Sequence, residues 1–275
     1  MLSYRHAFHA GNYADVLKHV VLCQSLDYLI QKPAPILYID THAGAGQYAL
    51  RSKKSKQTDE YKNGIGAVDF SRLPESINSY KKIVQPAFSA GYYPGSPLLA
   101  AHMLREQDKL SLFEMHSTDY PLLKQLFEKD RRVRVSDSDG YHSLKALLPV
   151  KQVRAVVLID PSYEVKSDFD RVVEAIKNAH QRMATAVIML WYPIVDRARV
   201  EKFIKSISNT GIRDIWRYEL AMQEDAEGYG MTGSGMLVIN QPWVLAKQMR
   251  ECLPLLAGQM VSESGYFVVE ELVGE

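Results

Sequence analysis

Four consecutive residues, Asp160-Pro161-Ser162-Tyr163, combine groups that can hold a planar base. They follow an apolar run at 156–159, which is typical of a buried strand that ends at a pocket. The tetrapeptide brings together a carboxylate, a carbonyl that cannot continue a helix, and an aromatic ring. Such a set can bind a base that carries an exocyclic amine. The same residues also fit an ordinary Asp-Pro turn after a strand.

The chemistry that these groups suit is transfer to an aromatic amine. The lone pair of such a nitrogen is delocalised into the ring, which makes it a poor nucleophile. Accepting one amine hydrogen on the Asp160 carboxylate and the other on the Pro161 carbonyl turns the lone pair toward a donor. The Tyr163 ring can stack on the base, a contact worth roughly 1–3 kcal/mol. We therefore expect these three residues to be catalytic, acting through position and polarisation.

Three other segments predict a site for a methyl donor. Residues 40–46 read Asp-Thr-His-Ala-Gly-Ala-Gly, and glycines there let the backbone turn close to a ligand. This spacing is similar to the acidic-x-x-x-G-x-G loop of S-adenosylmethionine-dependent methyltransferases and differs from G-x-G-x-x-G. Glu114 ends the next strand, where ribose hydroxyls bind, and Asp139 before Gly140 can accept from an adenine amino group. Plain turns and a surface carboxylate are the alternatives.

The N-terminal segment alternates aromatic, basic and histidine side chains. Between Tyr4 and Asn12 it contains Arg5 and two histidines, and Lys18 follows one or two helical turns later. This mixture suits phosphate contact together with base stacking. A pair of histidines also suggests a metal site, yet no cysteine or carboxylate cluster stands at ligand spacing, so no metal is expected. A polar, frayed terminus is the alternative.

Two basic runs and a glycine-rich stretch are less specific signals. The first run contains Lys53, Lys54 and Lys56, and the second contains the lysine and three arginines of residues 129–134. Both can touch phosphates, although a solvated face is the commoner explanation for either. Residues 228–235 are predicted to form a flexible loop that can line or gate the site.

Composition limits the class of protein. The chain has 275 residues, 47% hydrophobic and 24% charged, which is ordinary for a globular protein. Lys plus Arg number 33 against 32 Asp plus Glu, so a nucleic-acid surface must come from local clustering. Two cysteines are too few for a disulfide scaffold or a zinc cluster and suit a reducing compartment. Without a signal-like N-terminus or a long apolar run, we expect a cytoplasmic protein with no membrane contact.

The predicted elements alternate between strands and helices. A helix capped by Asn12 is expected to run to about Ile30, and the glycine-rich loop is expected to lead directly into another helix. Strands are predicted at 36–39, 110–113, 133–135, 156–159, 186–191, 216–220 and 236–239. Residues 51–92 interrupt the pattern as a helical insertion within a single domain of residues 1–275. The alternation predicts an α/β fold with a doubly wound, mostly parallel sheet that binds ligands at its carboxyl edge.

Together these residues resemble the bacterial 23S ribosomal RNA adenine-N6 methyltransferase J family. The segments that carry the resemblance are 4–12 with residues 15, 18 and 19, then 40–46, 94–97, 139–140, 160–164 and 236–240. The resemblance implies a class I S-adenosylmethionine-dependent methyltransferase, Rossmann-like in fold, with a small helical insertion. It further implies a monomer that methylates the N6 amine of an adenine in 23S ribosomal RNA.

The resemblance also assigns residues to roles. Those implied to bind S-adenosylmethionine or to line its pocket are His19, His42, Gly44, Gly46, Ser96, Glu114, Asp139, Gly140 and Asp160. Those implied to place the RNA are Tyr4, Arg5, His6 and Lys18. The chain departs from the family pattern twice, because Ser162 and Gln241 stand where prolines are usual.

Three other functions are compatible with the same residues. A DNA adenine-N6 methyltransferase can use the same tetrapeptide. A nicotinamide-dependent oxidoreductase has a similar sheet, although the absence of G-x-G-x-x-G weighs against it. A non-catalytic RNA-binding protein would tolerate a degenerate pocket, and Ser162 is the residue that favours this alternative.

Overall fold

Strands form the centre of the molecule. The computed structural model describes residues 5–50, 55–151, 154–165, 167–224, 230–261 and 263–275. The strands in these ranges are β1 (Ile36–Asp40), β2 (Gln47–Ala49), β3 (Tyr92–Pro94), β4 (Lys109–Phe113), β5 (Val133–Ser136), β6 (Arg154–Ile159), β7 (Val187–Ile194), β8 (Ile215–Ala221), β9 (Gly233–Ile239) and β10 (Tyr266–Val273). Eight of them form one sheet in the order β10-β8-β9-β7-β6-β1-β4-β5, while β2 and β3 form a separate ribbon.

The order of the parallel strands places two site loops side by side. From β1 the chain moves to β4 and β5 on one side, then crosses to β6 and β7 on the other, and all these neighbours are parallel. The remaining strands β8, β9 and β10 pair antiparallel. A doubly wound sheet binds its ligands where the order reverses, beyond the carboxyl ends of the strands. Here that point lies between β1 and β6, with Asp40 opposite Leu158.

Helices cover both faces of the sheet. They are α1 (Tyr13–Leu29), α2 (Ser55–Thr58), α3 (Asn78–Ser89), α4 (Ser96–Met103), α5 (Asp119–Leu126), α6 (Gly140–Leu147), α7 (Asp168–Arg182), α8 (Arg197–Ser208) and α9 (Leu245–Met260). Successive residues of β1 point to opposite faces. Ile36 and Tyr38 join the core that contains α1, α4 and α9, whereas Leu37 and Ile39 join the core under α6, α7 and α8. No helix in the described ranges is long and apolar enough to cross a membrane.

The first helix begins where the sequence predicts. The Asn12 side chain accepts a hydrogen bond from the backbone N–H of Asp15 at 3.0 Å, which satisfies a free donor of the first turn. The helix is buried almost throughout, so Asp15, Lys18 and His19 lie inside the protein. Charged groups on a helix of this kind need partners within the fold.

The prediction that the glycine-rich loop leads directly into a helix is wrong. The loop continues into β2, which pairs antiparallel with β3 so that the buried Tyr48 and Tyr93 lie opposite each other. The helical insertion therefore connects the two strands of this ribbon. Within it, α2, α3 and several 3₁₀ turns pack apolar residues such as Ile65 and Tyr80 into the core that contains α1. Lys53 and Lys54 lie outside the described residues.

The prediction of a flexible loop over 228–235 is wrong at its C-terminal end. Gly233 and Gly235 belong to β9, in the interior of the sheet. A Cβ on Gly235 would lie 2.1 Å from Cζ of Tyr192, so the glycine lets a large ring cross the strand. Gly228 and Tyr229 lie outside the described residues.

Candidate active site

A cavity of about 820 Å³ opens at the carboxyl edge of the parallel strands. Its volume is that of sites that enclose small molecules. The sequence-predicted residues that line it are His6, Lys18, His19, His42, Gly44, Ser96, Glu114, Asp139, Gly140, Asp160, Pro161 and Tyr163. Arg5 and Gly46 are not among the lining residues, and Tyr4 lies outside the described residues. Gly46 instead packs against α5, where a Cβ would lie 2.7 Å from Leu126.

Glu114 holds the glycine-rich loop in place. Its Oε2 accepts a hydrogen bond from the Gly44 N–H at 2.7 Å, and its Oε1 accepts one from the His116 N–H at 2.6 Å. Burial raises the pKa of this carboxyl group, although both backbone donors oppose the shift. Gly44 adopts a positive φ of 61°, and a Cβ there would lie 2.1 Å from the Tyr48 hydroxyl. The bend of the loop therefore requires glycine.

Asp40 lies behind the loop and outside the cavity lining. Its Oδ2 accepts hydrogen bonds from the hydroxyls of Ser96 at 2.7 Å and Tyr38 at 2.9 Å. Its Oδ1 accepts from the His42 N–H at 3.2 Å. Burial raises the pKa of Asp40 from 3.8 to about 6, although these donors oppose the shift. Asp40 thus ties the loop to the start of α4.

This raised pKa predicts a pH dependence of folding. Between pH 4 and 6 the folded protein keeps a proton on Asp40 that the unfolded chain has lost. The stability from this group is therefore present below about pH 3.8 and is lost as the pH rises through about 6. We expect the free energy of unfolding of the wild type, relative to Asp40→Asn, to fall across this range. Urea unfolding at pH 4, 5, 6 and 7 measures it, and parallel curves for the two proteins would contradict the prediction.

Asp139 and Gly140 form the cavity wall beside the glycine-rich loop. One oxygen of Asp139 accepts from the Tyr141 N–H at 2.8 Å and caps α6, while the other accepts from Arg171 at 2.8 Å. Gly140 packs so closely that a Cβ would lie 2.4 Å from the Thr41 carbonyl oxygen. The structure thus gives the predicted Asp-Gly pair a capping and packing role at the cavity wall.

A buried ion network joins α1 to the tetrapeptide. Lys18, 3% exposed, places Nζ 2.8 Å from Oδ1 of Asp15 and 2.6 Å from Oδ2 of Asp160. Burial alone would lower the pKa of Lys18, but the two carboxylates raise it above its ordinary value. The Oδ2 of Asp15 binds the His6 ring at 2.8 Å and the Gly11 N–H at 2.9 Å. Lys18, predicted from the sequence to lie beside the RNA, therefore forms ion pairs with two carboxylates inside the protein.

The tetrapeptide leaves one oxygen of Asp160 available. Its Oδ2 is paired with Lys18, while Oδ1 makes no hydrogen bond to any residue in the described ranges. Tyr163 has a positive φ of 53°, and its hydroxyl donates to the Trp191 carbonyl at 2.8 Å. This bond and contact with the Phe169 ring, 4.5 Å between centroids, anchor the loop that contains Ser162.

The remaining polar groups suit a cationic ligand with several hydrogen-bonding atoms. Carboxylates outnumber cations in the lining, where Lys18 and Arg171 face Asp15, Glu60, Glu114, Asp119, Asp139, Asp160, Glu164 and Asp168. Burial lowers the pKa of His19 to about 3 and that of His42 to about 4, so neither adds positive charge at neutral pH. The lining residues His19, Tyr141 and Trp191 each carry a buried polar atom without a partner among the described residues. Within the same ranges, no group of three potential metal ligands is present.

Some lining residues were not predicted from the sequence. Asp15 carries the central carboxylate of the network, and its i, i+3 spacing from Lys18 was the available signal. Trp191 and Pro193 in the second half of β7, together with Met222 and Met231, also line the cavity. These apolar side chains had no distinguishing motif.

Comparison with known proteins gives a consistent result. Residues 33–273 match the family model described as "Ribosomal RNA large subunit methyltransferase D, RlmJ". The curated relatives named "Ribosomal RNA large subunit methyltransferase J" from Haemophilus influenzae and from Escherichia coli are each 47% identical over the whole of both chains. The crystal structure of protein LPL1258 from Legionella pneumophila is 36% identical, with a TM-score of 0.89 over 96% of this chain and 98% of that one.

Proposed function

This chain belongs to the RlmJ family of ribosomal RNA large subunit methyltransferases, and on that premise we propose that it methylates the N6 amine of an adenine in 23S ribosomal RNA. Membership confirms the family predicted from the sequence, and with it a class I methyltransferase fold. The observation that carries the chemistry is the Asp160 carboxylate. It lines the cavity at the end of β6, with Oδ2 held by Lys18 and Oδ1 available.

The cavity fits S-adenosylmethionine as the methyl donor. When bound, S-adenosylmethionine supplies an electrophilic methyl group on a positively charged sulfur. The excess of lining carboxylates favours that charge, and the unpartnered His19 Nε2 and Tyr141 hydroxyl offer hydrogen bonds. We assign the donor to the wall made by His42, Gly44, Ser96, Glu114 and Gly140, all of which line the cavity.

Asp160 and Pro161 orient the target amine. The available Oδ1 of Asp160 accepts one amine hydrogen, and the Pro161 carbonyl accepts the other, so that the nitrogen lone pair turns out of the ring plane. Lys18 holds Oδ2 and keeps the carboxylate in a single orientation. Tyr163, anchored through Trp191, offers a ring for the base. Since a base inside a helix cannot reach this cavity, the adenosine must be presented unpaired or flipped out.

The N-terminal segment and the curated relatives support RNA as the substrate. His6 lines the cavity and packs against Tyr48 with ring centroids 5.0 Å apart. His6 thus lies at the cavity, and the phosphates and flanking bases of a bound strand would pass beside it. The two curated relatives carry ribosomal RNA in their names. RNA is therefore favoured over DNA as the substrate.

The test offers the protein labelled S-adenosylmethionine with either unmodified 23S ribosomal RNA transcripts or duplex DNA. We expect label in RNA alone, recovered as N6-methyladenosine after nuclease digestion and mass spectrometry. Methylated adenine in DNA would instead establish the DNA enzyme. RNA binding without transfer to either polymer would support the non-catalytic alternative.

A further inference from the structure

A second, smaller groove lies between α7 and α8, outside the active site. Its volume is about 220 Å³, below the ~300–1,000 Å³ of sites that enclose whole small molecules. Phe169 and Phe203 form its apolar wall, while Arg199, Lys202 and Ser206 line its α8 side. Asp170 is the carboxylate in its lining. An aromatic slot bordered by cations suits a single planar ring that carries or adjoins an anion.

The groove is one aromatic ring away from the tetrapeptide. Phe169 contacts Tyr163 with ring centroids 4.5 Å apart and Phe203 with centroids 5.0 Å apart. Tyr163 lines the active-site cavity, and so does Val195, which is 54% exposed and lies just before α8. The exposed surface therefore continues from the cavity mouth to the groove.

Basic side chains extend this surface along α8. Arg199, Lys202 and Lys205 are exposed at three-residue spacing, which covers about 9 Å along one side of a helix. The Arg199 guanidinium lies 5.9 Å from the centroid of the Phe169 ring. None of the three cations forms a salt bridge within the described ranges. The acid of this helix, Glu201, is instead engaged by Arg197 and Arg217.

We propose that the α7–α8 groove and the basic side of α8 bind the RNA strand that flanks the target adenosine. A base next to the target would stack on Phe169 and Arg199, and the phosphates beyond it would contact Lys202 and Lys205. Stacking and phosphate contacts of this kind bind single strands with little dependence on sequence. The proposal rests on the proposed function, because it extends the RNA path out of the methyl-transfer cavity.

The basic run at residues 129–134 does not continue this path. Lys129 and Arg131 precede β5 and so lie at the amino end of the strands, away from the cavity. Arg132 is held by Asp130 and by the carbonyls of Ala101 and Leu104. Lys129 and Arg131 are exposed, so their removal makes a matched control with the same loss of charge.

The experiment compares Arg199→Ala/Lys202→Ala with Lys129→Ala/Arg131→Ala. Binding to unmodified 23S ribosomal RNA transcripts is measured by filter retention over a range of salt concentrations, and methyl transfer gives kcat and KM. In the α8 variant we expect an increase in Kd and KM of about 10-fold with little change in kcat, as for lost uniform binding. The slope of log Kd against log salt should become shallower by about 1 per lost phosphate contact.

Three results would overturn the proposal: equal affinities in wild type and α8 variant, equal losses in both variants, or a loss confined to the control. RNA binding is measured without methyl transfer, so these results can be distinguished from a failure of the proposed function. That failure would be a wild-type protein that binds the transcript but does not methylate it. A photocrosslinking transcript containing 4-thiouridine adds an independent readout, expected to label residues 197–206.

Discussion

Asp160→Asn is expected to lower kcat for methyl transfer by about 10²–10³-fold, the usual effect of removing one group that stabilises developing charge. Asparagine keeps the size of the side chain but loses the negative charge that Lys18 holds. It also presents an NH₂ group where one of the two acceptors stood. The amine hydrogens of the target would then meet one acceptor fewer, and the lone pair would be less well directed. The measurement is single-turnover transfer to unmodified ribosomal RNA.

Binding measurements separate this role from damage to the site. S-adenosylmethionine affinity, measured by calorimetry, should change by only a few-fold, since the glycine-rich loop is held by Glu114 and Asp40. Glu174→Gln makes the same chemical change at an exposed carboxylate paired with Lys177, and it should retain wild-type kcat. If Asp160→Asn turned over as fast as this control, Asp160 would not be the residue that orients the amine.

The carboxyl edge of the sheet could be predicted because its strands follow local rules. Apolar runs ending in Asp40 and Asp160 mark β1 and β6. Neighbouring parallel strands then bring both ends to one place. The capping role of Asn12 could also be predicted, because a helix cap acts within three residues.

Other elements depend on contacts that the local sequence does not encode. The three-residue strands β2 and β3 are too short for a periodic signal and pair across the chain with the buried Tyr48 opposite Tyr93. Pro254 lies within α9 and weakens its helical signal. In β10, half-buried residues stand at the edge of the sheet without clear alternation. Gly233 and Gly235, predicted to lie in a flexible loop, belong to β9, where Gly235 leaves room for the Tyr192 ring.

The candidate site also combines residues that the local sequence predicts with contacts that it does not. Asp160, Pro161 and the glycine-rich loop were identified from types and spacing, since each acts through its own strand end. The partner of Asp160 was not, because Lys18 is 142 residues away in the chain. From the sequence, Lys18 is predicted to contact RNA. Because α1 is buried almost throughout, Lys18 instead pairs with carboxylates inside the protein. Pairing over such distances follows from the fold alone.

Lys18→Met is expected to cost about 3–5 kcal/mol of unfolding free energy and most of the methyl-transfer activity. Methionine fills a similar volume but leaves the carboxylates of Asp15 and Asp160 without their shared cation. Removing one partner of a buried ion pair costs this much because the remaining charge is uncompensated. Urea unfolding measures the stability, and transfer to unmodified ribosomal RNA measures the activity.

A double variant separates the structural effect from the functional one. Lys18→Met/Asp15→Asn removes the more buried of the two paired carboxylates together with the cation, while the asparagine oxygen can still accept from the Gly11 N–H. Asp160 is 14% exposed against 1% for Asp15, so its remaining charge is less costly. Stability should therefore return to within about 1–2 kcal/mol of the wild type, whereas kcat should stay low because Asp160 is still unpaired. If the double variant recovered both stability and kcat, the role of Lys18 would be only to neutralise Asp15. Asp160 would then orient the amine without Lys18.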